Sequence, residues 1–283
     1  MRELATVPPL RDALLLAAFE GWNDAGEAAT ATVEHLAAAW HATPVAELDP
    51  EEYYDFQVNR PRVSLVDGRR RVHWPTTRLL LAVTPGAGRD VLLLHGIEPS
   101  TRWRSYTDEV LGFARSVGVR TVLTLGALLA DVPHTRPIPV TTTSDDPDTQ
   151  ARYAVESSRY EGPTGIVGVL TDAASRAGLS TLSCWAAVPH YAGGLPSPKA
   201  TLALVTRLEQ LLDVAIPVDE LAEGARAWER GVDELAGSDD EVAEYVQSLE
   251  QATDSAELPE ASGDAIALEF ERYLRRRGQD PPG

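Results

Sequence analysis

An unbroken apolar run at residues 13–19 leads through a polar turn into apolar residues at helical spacing that end at Trp40. Such a run predicts a strand that is buried on both faces, as in a parallel sheet covered by helices. Asp24 and Glu27 stand just before the helical stripe at the spacing of a capping box, so we expect them to cap the first helix. Open α/β folds place their sites at the carboxyl ends of parallel strands. The turn between this strand and this helix is therefore the expected functional surface.

The alternation of strand, polar loop and helix continues along the chain. Apolar runs and turn signals predict further strands at residues 53–58, 62–66, 69–74, 79–84, 91–95, 121–125 and 182–187. Periodic apolar positions predict helices at residues 105–117, 163–178 and 200–212. Residues 85–88 read as a turn, 131–139 as an irregular proline-bearing crossing and 189–199 as a long loop. The predicted fold is α/β, with a mainly parallel sheet flanked by helices.

Composition changes beyond Pro217, where no strand pattern remains. Helical patterns occupy residues 219–236, 239–252 and 264–277. Residues 213–283 carry 19 acidic and 6 basic side chains, whereas residues 1–212 carry 24 acidic and 19 basic ones. We therefore expect an α/β core at residues 1–212, an acidic helical subdomain at 213–277 and a disordered tail at 278–283.

Charge and cysteine content exclude several kinds of function. The net charge of −18 argues against nucleic acid or a membrane surface as a partner, because phosphate binding requires a positive surface. The single cysteine, Cys184, rules out an internal disulfide, and its apolar neighbours predict a buried structural thiol. No membrane-spanning stretch or signal-peptide pattern is present, so we expect a cytoplasmic protein. One lysine against 24 arginines suggests a high-GC bacterial source.

Five arginines lie between Arg60 and Arg71, around the hairpin turn signal Asp67-Gly68. One interpretation is a solvated hairpin whose charges protect an exposed sheet edge. The other is a docking surface for an acidic partner or for the acidic C-terminal region of the chain itself. The sequence leaves both open.

No standard catalytic constellation is complete. The chain has no nucleophile-elbow pattern and no histidine spacing typical of metal ligands, so we expect neither a metal nor a cofactor. Glu20 and Glu98 are candidates for acid and base, with Arg102 or Lys199 holding an anion. Asp24 has the alternative role of a helix cap, and His190 that of ordering its loop. Glycines at the start of the third long helix allow anion binding by backbone amides or close packing of the backbone.

Polar and aromatic residues near the predicted strand ends form the candidate pocket or partner-binding site. Trp22 and Trp103 recur in two equivalent strand-loop-helix units, where they either stack on a ligand or close a core or a subunit contact. The complete candidate set comprises Glu20, Trp22, Asn23, Asp24, Glu98, Arg102, Trp103, Glu161, His190, Tyr191 and Lys199.

Four ordered motifs, at residues 20–26, 96–103, 160–165 and 185–191, together resemble the proteasome assembly chaperone two family in its bacterial branch. The resemblance covers roughly residues 10–212. It implies a phosphorylase/hydrolase-like α/β core that oligomerises, and its bacterial members are functionally unassigned. Eukaryotic and archaeal relatives are proteasome assembly chaperones, and archaeal ones dock through a C-terminal hydrophobic-tyrosine-any tripeptide. This chain ends in Pro281, Pro282 and Gly283, so docking by that route is not expected.

Two functions from different classes follow from these observations. The first is a non-catalytic protein-binding or assembly factor that forms a homotrimer and contacts another protein. The second is a small-molecule hydrolase or phosphorylase that uses the polar loops at the strand ends. The incomplete catalytic set favours the first, while the density of polar residues at the strand ends keeps the second open.

Overall fold

The computed structural model of the protein describes residues 1–84 and 88–256. Within these ranges the strands are β1 (Arg2–Glu3), β2 (Leu14–Glu20), β3 (Thr43–Glu47), β4 (Arg62–Val66), β5 (Arg69–His73), β6 (Arg78–Val83), β7 (Asp90–Ile97), β8 (Thr121–Ala130), β9 (Val140–Thr143) and β10 (Ser180–Pro189). The α-helices are α1 (Ala28–Ala39), α2 (Pro50–Tyr53), α3 (Trp103–Ser116), α4 (Pro147–Tyr153), α5 (Ile166–Arg176), α6 (Pro198–Leu212), α7 (Asp219–Ala236) and α8 (Asp240–Ala256). Short 3-10 turns cover Ala25–Glu27 and His190–Ala192.

The central sheet contains eight strands in the order β1-β3-β6-β7-β2-β8-β10-β9. Its four middle strands, β7, β2, β8 and β10, are parallel. The outer strands β1, β3, β6 and β9 pair antiparallel. The predicted α/β class and parallel centre are confirmed, although the complete sheet is mixed.

Alternate residues of β2 supply two hydrophobic cores, one on each face of the sheet. Leu14 and Leu16 pack with α1 and α6 on one face, and Leu15 and Phe19 pack with α3 and α5 on the other. These four side chains are at most 1% exposed. A strand buried on both faces needs apolar residues at every position, which explains the unbroken run that begins at Ala13.

Asp24 caps the first helix, but the predicted capping box with Glu27 is wrong. The Oδ1 atom of Asp24 accepts hydrogen bonds from the backbone N–H groups of Ala29 at 2.8 Å and Thr30 at 3.2 Å. Gly26 and Glu27 both have positive φ, at 60° and 53°, so the chain makes an extra turn before α1. Because of that turn, Glu27 does not occupy the third helical position, from which its side chain would accept a hydrogen bond from the backbone N–H of the capping residue in a capping box.

The strand predicted at residues 53–58 is wrong. Pro50–Tyr53 is a short helix, begun by Asp49, whose side chain accepts a hydrogen bond from the Glu51 N–H. Tyr53 and Tyr54 are buried against the sheet face that carries α3. Their aromatic character therefore reflects core packing instead of strand pairing. Residues 189–199, predicted as a loop, instead contain the His190–Ala192 turn and the start of α6.

Strands β4 and β5 form a separate two-stranded sheet, which we call the hairpin. All residues of both strands are exposed, and the turn uses positive φ at Asp67 and Gly68. Among the described residues, no ion pair involves any of its four arginines or the preceding Arg60. The hairpin is therefore exposed to solvent and makes no ion pair with α7 or α8 among the described residues. The rest of the acidic C-terminal region, with which a contact was also predicted, lies outside them.

The C-terminal helices α7 and α8 follow the core, and α7 packs on α6. Ala225 and Val232 of α7 are buried, whereas most of its other side chains are not. No helix in residues 1–84 and 88–256 is both long and apolar enough to cross a bilayer. The predicted turn at 85–88 lies largely outside the described residues, and the predicted helix at 264–277 and tail at 278–283 lie wholly outside them.

Candidate functional site

The candidate residues fall into two separate groups and three outliers. Asn23, Asp24 and Glu98 meet where β2 and β7 end, with Glu20 and Trp22 beside them in the same loops. His190, Tyr191 and Lys199 lie on the segment that contacts α7 and α8. The outliers are Arg102, Trp103 and Glu161. The predicted single site at the strand ends is therefore only partly assembled.

Glu98 lies at the amino end of α5. Its Oε1 atom accepts hydrogen bonds from the Ile166 N–H at 2.8 Å and from Asn23 Nδ2 at 3.2 Å. A Cβ atom on Gly165 would lie 2.2 Å from Asn23 Nδ2 and 2.7 Å from Glu98 Oε1, so only glycine fits there. The glycine at this helix start therefore serves close packing. The backbone amide that an anion would use is already bound to a carboxylate.

Asp24 is 8% exposed and is surrounded by donors from α1. Besides the Ala29 and Thr30 amides, the Thr30 hydroxyl donates to its Oδ2 atom. Burial raises the pKa of Asp24 above its usual value, and the Thr30 and Ala29 hydrogen bonds oppose this shift. The Asn23 carbonyl accepts a hydrogen bond from the Ala127 N–H at 2.8 Å, which fastens the loop to β8. Asp24 thus stabilises the fold and is not free for proton transfer.

The outliers have structural contacts or lie in solvent. Arg102 forms an ion pair with Glu52, and its φ of 56° marks the left-handed residue from which α3 begins. Trp103 packs on the core and donates from Nε1 to the Pro99 carbonyl oxygen at 2.5 Å. Glu161 is exposed. The predicted roles of Arg102 in holding an anion and of Trp103 in stacking on a ligand therefore receive no support.

The second group is part of a polar network beneath the C-terminal helices. His134, which is 1% exposed, bonds through Nδ1 to the Tyr191 hydroxyl at 2.8 Å and through Nε2 to Asp233 at 2.9 Å. Lys199 donates to the His134 carbonyl oxygen and to Glu229. Burial raises the pKa of Tyr191 to about 12. These side chains hold α7 on the core, and sequence reasoning missed His134 because its partners are distant in the chain.

A cleft of about 1000 Å³ opens beside the first group. Its floor is formed by β9 and β10, one wall by α5, and its mouth by the loop after β2 and by residues 193–196. Trp185 lies on the floor, with its ring directly over Gly126, where an added Cβ would approach the ring to 2.6 Å. Sequence reasoning missed this cleft because it joins segments that are far apart in the chain.

Neither a metal centre nor a reactive thiol is found at the cleft among the described residues. In the described part of the chain, no cluster of His, Cys, Asp and Glu has the geometry to hold a metal ion. Cys184 is buried, as predicted, and burial raises the pKa of its thiol to about 11. At neutral pH this residue is therefore an unreactive thiol, not a nucleophile.

The geometry defines an α/β protein with helices on both faces of its sheet and a cleft next to the carboxyl ends of its parallel strands. A family model described as the PAC2 family matches residues 18–236. The chain belongs to the PAC2 family. The resemblance seen in the four sequence motifs is thereby confirmed.

Solved structures agree with this assignment. A PAC2 family protein from Streptomyces avermitilis is 56% identical over 83% of this chain and 100% of that one, with a TM-score of 0.79. A proteasome-assembly chaperone homologue from Mycobacterium tuberculosis is 50% identical over 82% and 99%, with a TM-score of 0.75. PbaB of Pyrococcus furiosus, an archaeal proteasome activator, shares the fold at 20% identity over 83% and 99%, with a TM-score of 0.65. No curated protein matches the chain.

Proposed function

We propose that this protein is a non-catalytic protein-binding factor that acts in the assembly of other proteins. The observation that carries the proposal is the contact between Glu98 and the Ile166 N–H. An enzyme acting on phosphate or acyl groups needs free donors at this edge of the sheet. Here the amides that begin α5 and α1 are occupied by Glu98 and Asp24.

Membership of the PAC2 family supports the same function. The similar M. tuberculosis protein is described as a proteasome-assembly chaperone homologue. We therefore propose a protein partner, and a proteasome subunit is the first candidate. The single cysteine fits our proposal of a cytoplasmic setting, where disulfides are rare.

The cleft keeps a second function open, that of a small-molecule hydrolase or phosphorylase. Its volume of about 1000 Å³ is at the upper end of the range for ligand pockets, about 300–1000 Å³. Affinity capture from the native cell extract, with mass spectrometry of the bound proteins and small molecules, separates the two functions. Recovery of protein partners supports the first proposal, and a retained metabolite without a protein partner supports the second.

We further propose that the protein forms a homotrimer through the hairpin. Two isolated strands are marginally stable in water, yet Leu65 is 73% exposed and Val63 is 58% exposed. A subunit contact at Trp22 and Trp103, one of the roles that the sequence allows them, is less favourable because Trp103 packs inside its own chain. Contacts between unlike surfaces of successive subunits close into a ring, which is compatible with three subunits. The mass measured by light scattering tests this proposal.

Residues 213–277 are proposed to form an appendage to the α/β core at residues 1–212. Polar contacts such as Lys199 with Glu229 support this division. Leu221 packs against the core, however, so its loss exposes apolar surface. We expect a chain cut after Leu212 to keep the helices of the core, α1 to α6, and to lose solubility, as measured by circular dichroism and sedimentation. An unfolded remainder would show that α7 and α8 belong to the core.

A further inference from the structure

Five large apolar side chains are exposed around the mouth and walls of the cleft, and we call them the cleft rim. Their exposed fractions lie between 44% for Leu128 and 67% for Trp22. The complete cleft rim is Trp22, Leu128, Leu129, Tyr160 and Leu195. Single exposed apolar residues are ordinary, but several around one concave surface are typical of an interaction site.

The charges that line the cleft all have one sign. Glu27, Asp145 and Asp172 contribute side chains to the lining, together with the buried Asp24. Of these, Asp172 forms an ion pair with Arg176. No lysine, arginine or histidine occurs among the described residues of the lining. An anionic ligand would meet repulsion here, and a basic one would be attracted.

The floor of the cleft offers hydroxyl groups in place of charges. Thr141 and Thr143 of β9 and Thr181 and Ser183 of β10 line it, next to the indole of Trp185. The Ser183 hydroxyl already accepts a hydrogen bond from Trp185 Nε1 at 3.0 Å, and a hydroxyl can still donate. These groups suit a ligand that has both amide donors and carbonyl acceptors, and a polypeptide backbone has both.

We propose that the cleft binds a segment of a partner protein in which apolar side chains are flanked by arginine or lysine. The apolar side chains contact the cleft rim, and the basic ones approach Asp145 and Glu27. The proposal rests on the protein-binding function proposed above and specifies the chemistry of the partner. It excludes nucleotides, sugar phosphates and acidic peptides as occupants of the cleft.

Fluorescence anisotropy tests the proposal on the full-length protein. The probes are a short fluorescein-labelled peptide with a leucine-rich middle flanked by arginines and a matched peptide with glutamate in place of each arginine. We expect the arginine peptide alone to bind. Leu129→Asp should weaken its binding about tenfold, as for a central apolar contact. Asp145→Asn should weaken it about two- to fivefold, the range of an exposed ion pair.

Leu235→Asp is the matched control, because Leu235 is a 59% exposed leucine on α7 outside the cleft, and it should leave the affinity unchanged. Equal binding of both peptides, absence of binding, or insensitivity to Leu129→Asp overturns the proposal. The peptide could also bind only to the Leu65→Asp variant, after that substitution has disrupted an oligomer. This result would overturn the proposal as well, because it would mean that the hairpin of another copy fills the cleft of the wild-type protein. If the peptides fail while affinity capture still recovers protein partners, the cleft assignment falls and the protein-binding function stands.

Discussion

The two ends of the central strands β2 and β7 bind carboxylates in different ways. At the amino ends, arginines do so: Arg89 Nη2 donates to Asp12 at 2.6 Å, and Arg11 Nη2 donates to Asp90 at 3.1 Å. At the carboxyl ends, Asp24 and Glu98 are bound by amide and hydroxyl groups without any ion pair among the described residues. The carboxyl end therefore keeps its negative charge.

This difference makes the amino ends of the strands a purely structural edge of the sheet, whereas the carboxyl ends are suited to binding. Where arginine neutralises a carboxylate, the pair has little net charge to offer a partner. Where backbone amides at the start of a helix bind a carboxylate, the helix dipole stabilises its negative charge without cancelling it. The cleft lies next to the second kind of edge, and no lysine, arginine or histidine is among its described lining residues.

Asp24→Ala should have the largest effect on stability. It leaves the Ala29 and Thr30 amides without their acceptor at a buried helix start, so we expect a loss of about 2 kcal/mol, the upper range for a helix cap. Chemical denaturation measures the loss. Glu27→Ala is the matched control, because Glu27 is exposed and makes no capping hydrogen bond. If the two substitutions lowered stability equally, the result would support the capping box and contradict the observed contacts.

Glu98→Ala should cost about 1–2 kcal/mol, because it leaves a partly buried amide without its acceptor. It should also convert the start of α5 into an anion site. We expect millimolar phosphate to raise the melting temperature of this variant and not that of the wild type. Glu161→Ala, at an exposed glutamate, is the control. A phosphate effect in the wild type would mean that Glu98 does not close the site.

The Asp90–Arg11 pair should produce a smaller, pH-dependent effect. Burial works to raise the pKa of Asp90, but the hydrogen bonds and charge of Arg11 outweigh it and hold the pKa below its usual value. This stabilisation is complete above the unfolded pKa of about 3.9 and is lost as pH falls through the lower folded pKa. Asp90→Asn should reduce by about 1 kcal/mol the free energy of unfolding that is lost as pH falls through the acidic range.

Asp24 should change stability with pH in the opposite direction to Asp90, because burial raises the pKa of Asp24. Its ionisation opposes folding as pH rises from the unfolded pKa to the folded one. Equilibrium denaturation across acidic pH distinguishes the two carboxylates. If Asp90→Asn lost stability at acidic pH as the wild type does, Arg11 would not stabilise the ionised form of Asp90.

Leu65→Asp on the hairpin should have the smallest effect on subunit stability, within about 0.5 kcal/mol, because the side chain is exposed. Its effect on mass should be large if the hairpin joins subunits, since it places a charge in an apolar interface. Light scattering gives the mass, and Leu4→Asp, at a leucine that is 43% exposed, is the control. A variant with the wild-type mass would place the interface elsewhere.

Much of the centre of the fold could be predicted from the sequence, because burial on both faces leaves an unbroken apolar run. β2 and β7 carry that signal, and so does the start of β8. The edges do not: β1 has two residues, and β3 contains Pro44 and a register shift before Ala46. Edge strands bury less and pair on one side, so their local pattern is weak.

The candidate site was harder to predict than the fold. The loops after β2 and β7 were found because they follow strong strands, and Asn23 does meet Glu98. The spacing of apolar residues cannot show that His190 and Lys199 contact helices α7 and α8 and not the predicted site at the strand ends. Trp22 of the cleft rim was predicted as a site residue, but Leu128 and Leu129 look like ordinary strand residues, and only the structure shows that they line the cleft.

The buried thiol of Cys184 has a practical consequence. The side chain is fully enclosed, with Thr142 Oγ1 3.5 Å from its sulfur, and its ionised form is scarce at neutral pH. A maleimide reagent should therefore leave the native protein unmodified. Cysteines introduced on the hairpin or the cleft rim can then carry dyes or spin labels without removal of the natural residue, and distances between the labelled positions become measurable in otherwise unaltered protein.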